Sequence, residues 1–273
     1  MTKLRRTPEP IRLPHGFSFS AVVAGIKASG RPDLALIESS ASASAAALFT
    51  NNRVVAAPLE VGRASLLSTK GHVRAVVVNS GNANCATGRP GRQSCERVCR
   101  HAAQVLGVPP EEVFPSSTGI IGVPLPAEKI IAKLPDLMAA RTSTKLAALA
   151  FAQAIMTTDT RPKIAVQRFR AGANELTIFG VAKGAGMIHP QLATMLVYLL
   201  TDVAATPRQL QQLLRYACDP TLNSMSIDGD TSTNDTVLLL ANGQSGVRVS
   251  EARVRNKFSH ALGAVCQLSL IHI

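Results

Sequence analysis

The chain of 273 residues is 46% hydrophobic and 17% charged, a balance that supports a buried core and excludes a mostly disordered polymer. Lys and Arg number 29 against 17 Asp and Glu, and the net charge of +12 raises nucleic acid or an anionic surface as a partner. Aromatics at 4%, with no Trp, leave little to stack on bases, and the basic residues are dispersed, so a solvated basic surface is expected and a nucleic-acid partner is not.

In chain order, residues 1–10 (MTKLRRTPEP) read as a loose charged arm with no apolar targeting segment behind it. Between Phe17 and Leu48, short apolar runs at 21–23 and 34–37, separated by Gly and Ser, predict strands joined by tight turns. The Ala/Ser stretch at 39–47 is a low-complexity tract. A β-branched run at 73–78 ends in Asn79-Ser80-Gly81, a buried strand feeding a turn. Residues 95–106 have helical spacing and stop at Gly107, ahead of Pro109 and Pro110. Cys95 and Cys99 would share a face of that helix; with no further Cys/His pair to complete a zinc set, they read as buried small residues. Helices follow at about 127–134 and at 144–156, the latter with Ser143 in the capping position.

Residues 164–169 and 176–181 alternate like the strands of a hairpin around 171–174. A strand at 195–201 lies within the apolar stretch 192–205, which is too short to span a bilayer. Residues 207–217 form a helix capped by Thr206, 237–240 a strand and 250–266 a final helix. Strands and helices mix without strict βαβ alternation, so the class is α/β of the α+β type. Five cysteines, an odd number, fit a reducing cytoplasm better than a secreted disulfide framework.

Four glycine- and hydroxyl-rich segments flank these strands, and each can also be read as an ordinary turn. The loop 79–88 (NSGNANCATG) can turn tightly and aim amides inward. In 116–122, Thr118-Gly119 at a strand end can offer a hydroxyl and a backbone N–H to one point, as an oxyanion hole requires. Lys183-Gly-Ala-Gly-Met-Ile188 sets a cation among glycines, yet it is neither a Walker loop nor GxGxxG, because His189 occupies the third glycine position. His189, before Pro190, reads as a turn residue. The segment 226–235 holds three aspartates, but counted from Asp228 the sixth position is Thr233 and the twelfth Leu239, which excludes an EF-hand. A magnesium site and a hydrogen-bonded turn remain as its readings.

Taken together and in this order, the segments resemble one family. Gly16-Phe17, Gly25-Ile-Lys27, Phe49-Thr-Asn51, the loop 79–88, Ser117-Thr-Gly-Ile-Ile-Gly122 and Met156-Thr-Thr-Asp159 are similar to the ornithine acetyltransferase (glutamate N-acetyltransferase, ArgJ) family of arginine biosynthesis. So are Lys183-Gly-Ala-Gly-Met-Ile188, Ala193-Thr-Met-Leu196 and Asp228-Gly-Asp-Thr-Ser-Thr-Asn-Asp235, and the likeness covers nearly the whole chain.

The resemblance implies layered β-sheets flanked by helices in a DmpA/ArgJ-like self-processing fold, assembled as a cytoplasmic α2β2 enzyme. It implies a precursor that cuts itself between Ala193 and Thr194, giving an α chain of residues 1–193 and a β chain of 194–273. The cut frees an α-amino group whose ordinary pKa of about 8 makes it a base for the hydroxyl beside it. By this likeness Thr194 takes the acetyl group from N2-acetyl-L-ornithine and passes it to L-glutamate. Thr118 and Gly119 would form the oxyanion hole, and Thr157 and Lys183 would contact substrate, the lysine being suited to an α-carboxylate. No metal or bound cofactor is implied; acetyl-CoA stands as a candidate co-substrate.

Two departures from the family pattern bear on this. Asn84-Cys-Ala-Thr-Gly88 stands where the family commonly has Asn-Ala-Cys-Thr-Gly. Family members also continue well past this length, through an acidic Gly-Glu-Gly motif, so the fold is expected to be incomplete at its C-terminus. Part of the substrate pocket would then be missing, and Leu262, Val265 and Leu268 would lie exposed. Two other functions are kept open. One is a self-cleaving amidase or aminopeptidase that transfers the acyl group to water. The other is an inactive binding module whose glycine-rich loops hold phosphate or RNA with a steep salt dependence.

Overall fold

The computed structural model describes residues 11–184, 195–221 and 232–271, with side chains as far as Gln267. Among them the strands are β1 Phe17–Val22, β2 Leu34–Phe49, β3 His72–Asn82, β4 Val113–Ile120, β5 Lys163–Ala171, β6 Asn174–Lys183, β7 Leu196–Thr201 and β8 Thr236–Ala241. The helices are α1 Ala57–Ser68, α2 Gly88–Leu106, α3 Ala127–Ala139, α4 Lys145–Ala154, α5 Pro207–Cys218 and α6 Ala252–Ile271.

Hydrogen bonding orders the strands β4-β3-β2-β8-β7-β6-β5, with β1 also pairing β2. Residues 34–38 of β2 pair with both β1 and β3, whereas residues 44–49 pair with β8, and the register slips between Glu38 and Ala43. A slip of this kind bends a strand, and here the sheet folds over on itself. Phe19 of β1 meets Phe179 of β6 edge to face at 5.5 Å, although β2, β8 and β7 separate them along the ladder.

Alternation along the strands then builds three apolar layers. Phe179 and Leu200 face the middle layer with Phe17, Phe19, Phe151 and Tyr198, whereas Ile178 and Leu199 point outward to Leu210, Leu214, Phe258 and Leu262 of α5 and α6. On the other side, Leu36 and Val77 pack on Val98, Ile130 and Leu134 of α2 and α3. The result is a mixed α/β fold in which two sheet layers lie between helices. Each fully buried aromatic in the middle layer stabilises by about 1.5–3 kcal/mol through apolar burial alone.

Several sequence expectations change here. The Ala/Ser tract, read as low complexity, is the body of the sixteen-residue β2, exposed at Ser40, Ala41 and Ser42 where the register slips. Helix α1, absent from the pattern reading, starts at Ala57-Pro58 without a side-chain cap. The cap of α4 is Thr144 rather than Ser143, since the Thr144 hydroxyl accepts from the Ala147 amide at 3.2 Å. Leu262 and Val265 are fully buried, contrary to expectation, because α6 lies across β5 and β6; the Leu268 side chain lies outside the described residues. Cys95 and Cys99 are buried in α2, and Gly107 ends that helix in the left-handed conformation, both as expected. Among the described residues no helix is long and apolar enough to cross a membrane.

Candidate active site

Parallel strands β3 and β4 bring two of the glycine-rich segments side by side, with Ser80 opposite Thr118 and Gly81 opposite Gly119. The backbones nearly touch there. Gly119 has φ +135°, and a Cβ on it would sit 2.3 Å from the Gly81 carbonyl carbon and 2.5 Å from the Asn82 nitrogen, so glycine alone fits. Amide side chains fasten the neighbouring turns. Asn79 donates to the Asn82 carbonyl at 2.8 Å and accepts from the Ser117 hydroxyl at 2.6 Å. From the segment before β8, the Asn234 amide donates to the Ala83 and Ser117 carbonyls at 2.7 and 2.9 Å. Three of the four segments thus form one hydrogen-bonded block.

Into this block β6 delivers Lys183, whose side chain is 2% exposed and whose Nζ donates to Thr118 Oγ1 at 2.8 Å. Because the ammonium donates, the Thr118 hydroxyl hydrogen remains free for another acceptor. Burial pushes the Lys183 ammonium down to about 8, against the pull of the Asp159 and Asp235 carboxylates. Asp159 is itself tied by Lys163, by the Gly184 amide at 2.8 Å and by the Thr157 amide at 3.3 Å. Burial alone would raise its carboxyl. The Lys163 and Gly184 hydrogen bonds and the two lysine charges instead hold it below the usual carboxylate range. Lys27 approaches from the β1–β2 connection and donates to the Ala154 carbonyl at 2.9 Å, the same oxygen that accepts from Ser80 at 2.5 Å. Burial lowers its pKa too.

Asp235, 1% exposed, lies one residue before β8. Its Oδ1 accepts from the Met195 amide at 2.9 Å, while the Met195 carbonyl accepts from the Thr236 amide at 3.0 Å. Met195 is therefore held from both sides, one residue before Leu196, which pairs with Lys183 across β6 and β7. Burial pushes the Asp235 carboxyl up to about 8 in spite of the Met195 amide, Ser232 and Lys183.

Of the residues singled out from sequence, the structure brings Thr118, Gly119 and Lys183 together. Thr157 is exposed and joins them only through its backbone amide on Asp159. Ala193, Thr194, His189 and Asp228 lie outside the described residues. Sequence reasoning assigned no role to Asp159, Lys163 or Lys27, and read Asp235 only as one of the three aspartates of segment 226–235. Asp159 and Lys163 stand four residues apart in a basic stretch, a spacing that hints at an ion pair, but Asp235 could be found only through its partner across β7 and β8. Among the described residues no three His, Cys, Asp or Glu side chains gather as a metal set.

The sequence model of the ArgJ family matches residues 18–270. The arginine biosynthesis bifunctional protein ArgJ of Thermus thermophilus is 51% identical over 236 residues, 86% of this chain and 59% of that protein. This chain thus spans about three-fifths of the length of such relatives. A crystal structure of ornithine acetyltransferase complexed with ornithine, from Mycobacterium tuberculosis, superposes with a TM-score of 0.57 at 33% identity. It covers 67% of this chain and 94% of its own. The L-aminopeptidase D-Ala-esterase/amidase of Ochrobactrum anthropi, described as a variant of the Ntn hydrolase fold, has a TM-score of 0.57 at 12% identity, over 95% of this chain and 84% of its own. That last likeness shows the fold alone. With the family model spanning nearly the whole length, the chain belongs to the ArgJ family.

Proposed function

We propose that this chain is an acetyltransferase working through Thr194, made nucleophilic by cleavage of the Ala193–Thr194 bond. The observation that carries this reading is the Lys183–Thr118 hydrogen bond beside Gly119, with Lys183 paired directly with Leu196, the first residue of β7. In the proposed reaction Thr194 Oγ attacks the acetyl carbonyl of N2-acetyl-L-ornithine, and its proton passes to the freed α-amino group. The developing oxyanion takes hydrogen bonds from the Thr118 hydroxyl, which Lys183 holds by its oxygen, and from the Gly119 amide. Ornithine departs with the proton, and the amine of L-glutamate then attacks the acetyl-threonine ester. Lys183 and Thr157 bind the amino-acid substrates, and acetyl-CoA is an alternative acetyl donor. The cut chains pair as α2β2 in the cytoplasm. The Mycobacterium tuberculosis relative, solved with ornithine, supports the choice of substrate class.

The test incubates purified chain with N2-acetyl-L-ornithine and L-glutamate. N-acetylglutamate should form, and Thr118→Ala should slow its formation about 10²-fold, as loss of one oxyanion donor does. Free acetate in place of N-acetylglutamate would assign the chain to the amidases. Neither product from a folded, cut chain would overturn the reading.

A further inference from the structure

Lys27 has no part in the reaction as described, yet it stands beside the same pair of glycines. Its stem lies against β3, where an added Cβ on Gly81 would be 3.1 Å from Lys27 Cγ, and Gly81 pairs with Gly119. Its Nζ donates to the Pro32 carbonyl at 3.1 Å and to the Ala154 carbonyl at 2.9 Å. The Ala154 oxygen also accepts from Ser80 Oγ at 2.5 Å, and Ser80 pairs with Thr118, the partner of Lys183. Paired residues of neighbouring strands point to one face, so both ammoniums lie on the same side of β3 and β4. They are close enough to act on each other: burial lowers the Lys183 ammonium most, and the Lys163 and Lys27 charges add to it. Among the described residues neither Lys27 nor Lys183 lies within ion-pair distance of a carboxylate, whereas Lys163 is paired with Asp159.

Two ammoniums, one buried and one half-buried, that share a face without a carboxylate call for an anion. The carbonyls that Lys27 holds are neutral, and one of its three N–H groups stays unspent among the described residues. Asp33 does not cancel the charge, because its oxygens accept from the Ala24, Ile26 and Lys27 amides at 2.6, 2.5 and 2.8 Å. Of the two amino acids in the proposed reaction, L-glutamate carries two carboxylates, whereas ornithine carries one and a side-chain ammonium. Resting on the acetyltransferase reading above, we propose that Lys27 is a specificity residue of the same site, binding the side-chain carboxylate of L-glutamate while Lys183 takes its α-carboxylate. The same charge repels the ornithine side chain, and so favours replacement of the leaving product by the acceptor.

The test gives purified chain N2-acetyl-L-ornithine as donor and either L-glutamate or L-glutamine as acceptor, and measures the acetylated products. Glutamine has nearly the same shape without the side-chain charge, so the ratio of kcat/KM for the two acceptors reads the proposed contact and not the fold. Wild type is expected to prefer glutamate, and Lys27→Gln to lose that preference by about 10-fold or more, the worth of one hydrogen bond to a charged group. The loss should appear as a higher KM for glutamate, with the KM for N2-acetyl-L-ornithine no higher than in wild type. Lys27→Arg should keep the preference. A Lys27→Gln chain with the wild-type ratio, slowed or not, overturns the proposal and leaves Lys27 as a tie on the end of α4. Should Lys27→Gln fail to fold, Lys27→Met, which keeps the apolar stem against Gly81, takes its place. Wild type that acetylates glutamine as readily as glutamate overturns the proposal without any variant. If wild type acetylates neither acceptor, the acetyltransferase reading itself falls, and this one with it.

Discussion

Gly119 carries the strictest backbone demand in the candidate site, with a left-handed φ and no room for a Cβ against Gly81 and Asn82. Gly119→Ala therefore combines conformational strain with a backbone clash and should cost about 3 kcal/mol. Gly122→Ala, at φ +82° with nothing within 4 Å of the new Cβ, meets only the strain and should cost about 1 kcal/mol. Thermal denaturation of the two variants tests the difference; equal losses would mean that the contact with β3 is looser than described. At this scale, legibility followed chemistry. Thr118-Gly119 and Lys183 could be singled out because a hydroxyl–glycine pair at a strand end and a cation among glycines suit binding chemistry, although each segment alone also reads as a turn. Asp159 and Asp235 could not be, because what distinguishes them is burial and a partner brought by the fold: the Gly184 amide for one, the Met195 amide for the other.

Helix α6 rides close over β6 at Gly180, where an added Cβ would lie 2.5 Å from Val265 Cγ1. The interface works because a bare backbone on the strand accepts a branched side chain from the helix. Gly180→Ala should push α6 away and destabilise the fold by about 1–3 kcal/mol, and Val265→Ala in the same chain should recover part of that loss. Denaturant titration of the single and double variants measures the coupling; strictly additive losses would contradict the contact. The periodic elements were readable in advance: β3, the β5–β6 hairpin, the stop of α2 at Gly107 and Thr206 as the cap of α5, to which the structure adds the reciprocal bond of Gln209. Those misread lacked a local signal. β2 is built from Ala and Ser, whose strand character here comes from pairing with β1, β3 and β8. α1 opens without a side-chain cap and draws its stability from packing on β4 and α2.

At the scale of the molecule, folding the sheet over at β2 accomplishes two things. It closes the middle layer around Phe19, Phe151, Phe179 and Tyr198, and it lets strands distant in sequence deliver their ends to one place. β4 supplies Thr118, β6 supplies Lys183, and Asp235 and Thr236 at the entry to β8 hold Met195 by its amide and its carbonyl. No stretch of sequence encodes that convergence by itself, which is why the segments gained meaning only when taken together. The central claim concerns the Ala193–Thr194 bond, and the most direct measurement is the intact mass of the purified wild-type chain beside Thr194→Ala. Two wild-type fragments divided between Ala193 and Thr194, with the variant left whole, are the predicted result. A folded wild-type chain that stays whole, or a variant cut at the same bond, would contradict the account.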